Sequence, residues 1–308
     1  MNAAIRAVVR AGCFYNLEVF GIQRGYHGMM TGQIAPLGPR DVSGILNRGG
    51  TILHTARCLD FLQPEGRAQA AAQLRTHGIE GVVVIGGDGS YRGAAALHAE
   101  HGFACIGLPG TIDNDIGGTE YTIGFDTAMN TAMEAIDRLR DTAASHERIF
   151  FVEVMGRHSG YIALVAGMAG GAEEIVVPEL PTRIEDIVQC LRKGVTLGKT
   201  SMIVVIAEGD EAGDALSIQR KVAEASEFKE ARVTILGHLQ RGGSPTAFDR
   251  VLASRMGVRA VQALQEGESG VMVGIQHSQM VLTPLSMAWD QRTRFDPSLM
   301  DVARILSV

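Results

Sequence analysis

Short runs rich in β-branched residues alternate with stretches of helical periodicity along most of this 308-residue chain. The apolar runs at Glu18–Ile22, Gly81–Ile85, Ala104–Leu108, Ile149–Val154, Glu174–Val177, Met202–Ala207 and Arg232–Leu236 read as strands. Between them, Gly66–Thr76, Thr127–Arg140, Ile184–Lys193 and Ser217–Glu227 read as helices. Strands this apolar, separated by helices, imply parallel sheets covered on both faces, so the expected class is α/β, doubly wound. A long helix running from about Phe125 to Arg140, entered through a glycine turn, is the expected crossing between two lobes. The chain opens in a helix, Ala3 to about Ala11, that feeds a strand. In a parallel sheet such a helix usually crosses over from a preceding strand, and the sequence offers none.

Composition narrows the function. Hydrophobic residues make up 46% and charged residues 20%, a soluble globular balance. The net charge of -6, with no basic cluster, argues against nucleic-acid partners. An anionic ligand would therefore be met by local arginines. The four cysteines (Cys13, Cys58, Cys105 and Cys190) lack the paired spacing of a zinc or redox motif, and Cys105 lies in an apolar run as a packing residue. Arg6 and Arg10 interrupt the first apolar positions, unlike a signal peptide, and the apolar stretch Ile162–Ala172 is glycine-broken and short. A cytoplasmic protein with no membrane partner is expected.

Chemistry concentrates after the strands. Gly86-Gly87-Asp88-Gly89-Ser90 follows one apolar run and precedes a helix, where glycines let backbone amides approach phosphate oxygens. Asp88 would repel a bare phosphate and points to a shared magnesium ion. The same residues could instead form a glycine-rich turn capped by the aspartate or serine. Pro109-Gly110-Thr111-Ile112-Asp113-Asn114-Asp115 follows the next strand. In an extended segment Asp113 and Asp115 would point the same way, as a metal pair or as a base with its tuning partner. Met155-Gly156-Arg157-His158-Ser159-Gly160 follows a third strand, with Arg148 at that strand's other end. A fourth cluster joins Arg232 to Gly237-His238-Leu239-Gln240-Arg241-Gly242-Gly243, and Glu208 ends a further strand. Arginine suits phosphate through its bidentate fork. The segment 194–200 imitates a phosphate loop, but Lys193 stands where its leading glycine is needed and the helix-strand order is inverted.

These four motifs, in this order, together with Thr122-Ile123-Gly124-Phe125 and Arg138-Leu139-Arg140-Asp141, resemble the bacterial ATP-dependent 6-phosphofructokinases from Met1 nearly to the C-terminus. The resemblance implies two doubly wound lobes with mainly parallel sheets. A nucleotide lobe would span 1–124 plus 237–290, and a sugar-phosphate lobe 125–236 plus 291–308. It implies phosphoryl transfer from Mg-ATP to the 1-hydroxyl of fructose 6-phosphate. Asp113 would be the general base, with Thr111 also touching substrate and Arg57 and Arg157 facing the transferred phosphoryl group. Arg57, Cys58, Gly87, Asp88, Gly89 and Ser90 would hold the nucleotide, Asp88 through magnesium. The sugar would meet Thr111, Ile112, Asp113, Met155, Gly156, Arg157, Glu208, His238, Leu239, Gln240 and Arg241. Arg148 and Arg232 would grip the 6-phosphate from a neighbouring subunit of a homotetramer. Arg6, Arg10, Arg140, Gly171, Glu173 and Lys199 match effector positions in members that respond to ADP and phosphoenolpyruvate.

Four further features qualify the likeness. Small Gly89 and Gly110 favour ATP over pyrophosphate as donor, since pyrophosphate-using relatives carry an aspartate and a lysine there. Leu197 and Pro39 replace effector-site basic residues, which implies an altered effector response. Cys58 replaces an aromatic residue beside adenine. The resemblance also places a strand and a Gly-Gly-Asp loop ahead of Met1. The favoured expectation is a longer natural protein, active as a kinase. The competing one is a truncated or non-catalytic subunit that binds sugar phosphate and lacks a complete ATP site. An enzyme of the same family acting on another sugar phosphate is disfavoured by Met155, Glu208 and His238.

Overall fold

The computed structural model describes residues 1–146, 148–290 and 295–307. Residues 291–294 and 308 of the segment expected in the sugar-phosphate lobe lie outside the described residues. The chain forms two compact units. One comprises Met1–Thr111, Asp115–Gly124 and Gly243–Thr293, and the other Ile112–Asn114, Phe125–Gly242 and Arg294–Val308.

The first unit begins with α1 (Asn2–Phe14), β1 (Phe20–Ile22), α2 (Gly25–Thr31) and β2 (Ile34–Pro36). After a 3-10 turn (Asp60–Leu62) come α3 (Pro64–Thr76), β3 (Gly81–Gly86), α4 (Asp88–His101) and β4 (Ala104–Pro109). In the second unit follow α5 (Phe125–His146), β5 (Ile149–Val154), α6 (Tyr161–Ala169), β6 (Glu174–Val176), α7 (Ile184–Thr196), β7 (Met202–Ala207), α8 (Ala215–Ala225) and β8 (Arg232–Ile235), with a 3-10 turn at Gly237–Arg241. The chain returns to the first unit for α9 (Ala247–Gln265), β9 (Val271–Gln276), β10 (Gln279–Pro284) and α10 (Met287–Asp290), and ends with α11 (Pro297–Leu306).

In the first unit the sheet order is β10-β9-β4-β3. β4 is parallel to β3 and β9, while β10 turns back antiparallel on β9. Helices cover both faces. Ala3, Ala4 and the α9 residues Leu252, Ala253 and Met256 pack with Ile106 and Leu108 in one core, and Tyr91, Leu97 and Leu74 pack with Cys105 in another. Two outcomes differ from the sequence expectation. The run at Glu18–Ile22 does not join this sheet: Phe20–Ile22 pairs antiparallel with Ile34–Pro36 in a separate ribbon. The β9–β10 hairpin was not anticipated. Its two-residue turn, His277-Ser278, has positive φ at both positions (49° and 65°), as a type I′ turn demands, yet lacks the Asn-Gly signature that flags one. β3 forms the sheet edge, and a cavity of about 740 Å³ runs beside it, lined by Ile5, Val8, Phe20, Tyr26, Val82 and Val84 among others.

The second unit holds a fully parallel sheet in the order β6-β7-β5-β8. All six residues of β7 are buried. One face packs on α5 and α6 through Ile136, Ile162, Val152 and Val205, and the other on α7 and α8 through Leu191, Ile218, Phe151 and Val204. The long helix expected from Phe125 is present and runs on to His146. No helix among the described residues is long and apolar enough to cross a membrane.

Candidate active site

In the first unit, β3 and β4 end side by side, with Gly86 in register with Pro109. The Gly110 N–H donates to the Gly86 carbonyl at 3.0 Å and ties the two strand-end loops together. Gly87 is the N-cap of α4, and no side-chain oxygen caps this helix, so neither Asp88 nor Ser90 plays the capping part. Asp88 instead accepts the Gly89 N–H through Oδ1 at 2.7 Å, in the first turn where the helix dipole favours anions. The Ser90 N–H returns to the Gly87 carbonyl at 3.0 Å. Arg57 is exposed in an irregular segment, and the Cys58 thiol rests against Met30 Sδ at 3.5 Å.

Thr111 is held by a residue to which the sequence reading assigned no role. The buried Thr122 hydroxyl donates to the Thr111 carbonyl at 2.8 Å. The segment that carries Asp113 and Asp115 is not extended, so the condition under which they would point the same way is not met. The chain bends at Ile112 and Asp113, and Asn114 is buried in the left-handed region (φ 49°), so the extended alternation is broken between the two carboxylates. Asp113 belongs to the second unit, where Ile112 packs on the core, whereas Asp115 belongs to the first.

In the second unit, the ends of adjacent parallel strands bring together Met155, Gly156, Arg157, Glu208 and the turn 237–241. One Glu208 oxygen accepts the N–H of Arg157 at 3.0 Å and that of Gly156 at 3.4 Å. Arg157 has φ 58° and is exposed. Gly209 lies under it: a Cβ there would fall 2.2 Å from the Arg157 carbonyl oxygen, on top of a φ of +84°, so this approach requires glycine. Buried Gln240 accepts the Met155 N–H, while His238, Leu239 and Arg241 are exposed around it. His158 is also exposed.

Arg148 and Arg232 are elsewhere. Arg148 precedes β5, and Arg232 opens β8 beside Phe150. Both stand at the strand beginnings, roughly 20 Å from Met155 at the strand rise of about 3.3 Å per residue. No single chain can apply them to a ligand seated at Met155 and Glu208.

Four of the expected effector residues form one cluster in the second unit. Glu173 is 6% exposed and lies 3.8 Å from Arg140 and 3.6 Å from Lys199, and Arg140 donates to the Gly170 and Gly171 carbonyls. Lys199 also donates to the Ser307 carbonyl at 2.8 Å. It lies just past the end of α7, which agrees with rejecting 194–200 as a phosphate loop. Arg6 and Arg10 lie on α1 in the first unit.

Two α/β units with glycine loops, carboxylates and arginines at the ends of parallel strands define a phosphate-handling protein of the nucleotide-binding α/β class. The chain belongs to the phosphofructokinase family, whose profile matches residues 1–264. It is 57% identical over 308 residues to the ATP-dependent 6-phosphofructokinase 1 of Thermus thermophilus, covering 100% of this chain and 95% of that protein. The ATP-dependent 6-phosphofructokinase of Bacillus cytotoxicus is 53% identical with the same coverage. Among solved structures, phosphofructokinase from Saccharomyces cerevisiae superposes with a TM-score of 0.87 at 36% identity over 99% of this chain, which spans 45% of the yeast polypeptide.

Proposed function

We propose that this chain transfers the terminal phosphoryl group of Mg-ATP to the 1-hydroxyl of fructose 6-phosphate, giving fructose 1,6-bisphosphate and ADP in cytoplasmic glycolysis. The observation that carries the reading is 57% identity along the whole chain with a protein named for that reaction. It supports catalysis over a sugar-phosphate-binding subunit with an incomplete ATP site.

In this reading Gly87, Asp88, Gly89 and Ser90, with Arg57 and Cys58, take the nucleotide. Met155, Gly156, Arg157, Glu208 and residues 238–241 take the sugar, with Thr111 and Ile112. The sugar oxygen attacks the terminal phosphorus, the bond to the ADP oxygen breaks, and the hydroxyl proton passes to the Asp113 carboxylate. Arg57 and Arg157 offset the charge on the moving phosphoryl group. No cluster of three or more metal-ligating side chains occurs among the described residues. One carboxylate plus nucleotide phosphates is the donor set magnesium commonly takes, so Asp88 fits that ion. When bound, magnesium neutralises phosphate charge.

Arg148 and Arg232 then act on the 6-phosphate of a second copy, within a homotetramer. Arg140, Gly171, Glu173 and Lys199 in the second unit, and separately Arg6 and Arg10 on α1, serve as effector residues for ADP or phosphoenolpyruvate. A coupled assay with fructose 6-phosphate and Mg-ATP tests the central claim. Turnover is expected, falling about 10²–10⁴-fold in Asp113→Asn. A parent without turnover, or an undiminished variant, refutes it.

A further inference from the structure

We infer that Glu179 is a positioning residue for the turn that carries Arg157, delivered by a loop, residues 178–182, that braces two of the sugar-side turns of the second unit. The inference rests on the phosphoryl-transfer reading above. The turn from Gly156 to Gly160 is gripped by a carboxylate at each end. At its start Glu208 accepts the Gly156 and Arg157 amides, and the Ser159 N–H closes the turn on the Gly156 carbonyl at 2.9 Å. At its end the N–H of buried Gly160 donates to Glu179 Oε1 at 2.8 Å. The approach is close: a Cβ at Gly160 would fall 2.5 Å from Val177 Cβ and 2.6 Å from Glu179 Oε2, so only glycine fits against this segment. Glu179 follows β6 and the turn follows β5, while β7 lies between those two strands in the sheet. The contact therefore joins the ends of two strands that share no ladder.

The loop that delivers Glu179 is itself fixed. The Leu180 N–H returns to the Val177 carbonyl at 3.2 Å, and the Leu180 side chain packs on the core that includes Ile162. Two residues on, the Thr182 hydroxyl donates to Asp210 Oδ2 at 2.9 Å, and Asp210 also accepts the Ala212 N–H at 2.8 Å. Asp210 is buried two residues past Glu208, so the loop that holds the Arg157 turn also holds the turn after β7. Glu208 is assigned to the sugar, and a carboxylate that binds a sugar hydroxyl divides its acceptor capacity between ligand and amides. Glu179 grips the turn from the other side, at the start of α6, where the helix dipole favours its charge. What it constrains is the aim of Arg157, and phosphoryl transfer is steeply sensitive to displacements near 1 Å.

The test is Glu179→Ala in the full chain, beside Glu179→Gln, which keeps an acceptor oxygen. The alanine variant should lose about five- to tenfold in kcat/KM for fructose 6-phosphate, the worth of one hydrogen bond. The KM for Mg-ATP should stay near parental, because the residues assigned to nucleotide lie in the first unit. Glu179→Gln should recover most of the loss. Thr182→Val, which releases the other end of the brace, should also lower kcat/KM for fructose 6-phosphate and spare the KM for Mg-ATP. A merely structural role would instead lower the Tm in step with activity and shift both substrates together. Parental kcat/KM in both Glu179→Ala and Thr182→Val, a glutamine variant as impaired as the alanine one, or equal changes for both substrates overturns the inference. A parent that fails to turn over fructose 6-phosphate refutes the reaction, and the brace is then read without ligand by hydrogen exchange. There, faster exchange of the Gly156 and Arg157 amides in Glu179→Ala supports it, and unchanged exchange overturns it.

Discussion

The side-chain carbonyl of Gln240 accepts the backbone N–H of Met155 at 2.8 Å, with both residues buried, 1% and 5% exposed. The bond lies just beyond the β5–β8 ladder, after the Leu236 N–H has closed on the Glu153 carbonyl at 3.0 Å. It joins two of the turns assigned to sugar, and the buried Gln240 Nε2 has no hydrogen-bond partner among the described residues. Gln240→Leu should cost about 1–3 kcal/mol, because the Met155 amide is left unsatisfied. It should also raise the KM for fructose 6-phosphate. Denaturant unfolding and sugar saturation curves check both, and parental values would show that the bond organises nothing.

Arg148 and Met155 flank the same strand at opposite ends, so a shared site needs two copies of the chain. Asp113→Asn and Arg148→Ala should each be nearly inactive at low fructose 6-phosphate. Reassembled together, they should exceed either variant alone, because hybrid sites combine an intact Asp113 with a partner copy's intact arginine. A mixture no more active than the average of the two single variants excludes a shared site.

Gly89 offers a clean probe of ligand approach. A Cβ built there meets nothing within 4 Å, so Gly89→Ala imposes no clash within the protein. Stability should hold or rise by about 0.4–1 kcal/mol through the unfolded chain. The KM for Mg-ATP should nonetheless increase severalfold. An unchanged KM would mean that no phosphate comes close to this backbone.

Glu174, at the start of β6, supplies a pH test. Burial raises its carboxyl pKa, against the pull of the Ile175 N–H, Arg304 and Cys190, with Asp186 adding to the rise. The folded state thus holds this proton more tightly than the unfolded chain. That contribution is fully present below the ordinary carboxylate pKa of about 4.3 and is lost as pH rises through the folded value. Glu174→Gln should therefore be more stable than the parent at pH 8 and show no advantage below about pH 4. Denaturant midpoints at the two pH values decide, and an equal difference at both would refute the assignment.

Most strands and helices were legible in the sequence because their signal is local. Apolar runs such as Met202–Ala207 and the period of Ile184–Thr196 carry their own geometry. The glycine, carboxylate and arginine residues after those strands were legible too, since a doubly wound sheet places strand-end loops where ligands bind. The structure alone decided which of them meet. It broke the line between Asp113 and Asp115 with a left-handed Asn114, and set Glu208 beneath the amides of Gly156 and Arg157. It also put Arg148 and Arg232 at the far end of the sheet and drew Tyr26 across to Ser90. These relations depend on strand order and on contacts between residues tens to hundreds of positions apart. Local periodicity carries no record of such pairings, because long-range packing chooses them only after each element has formed.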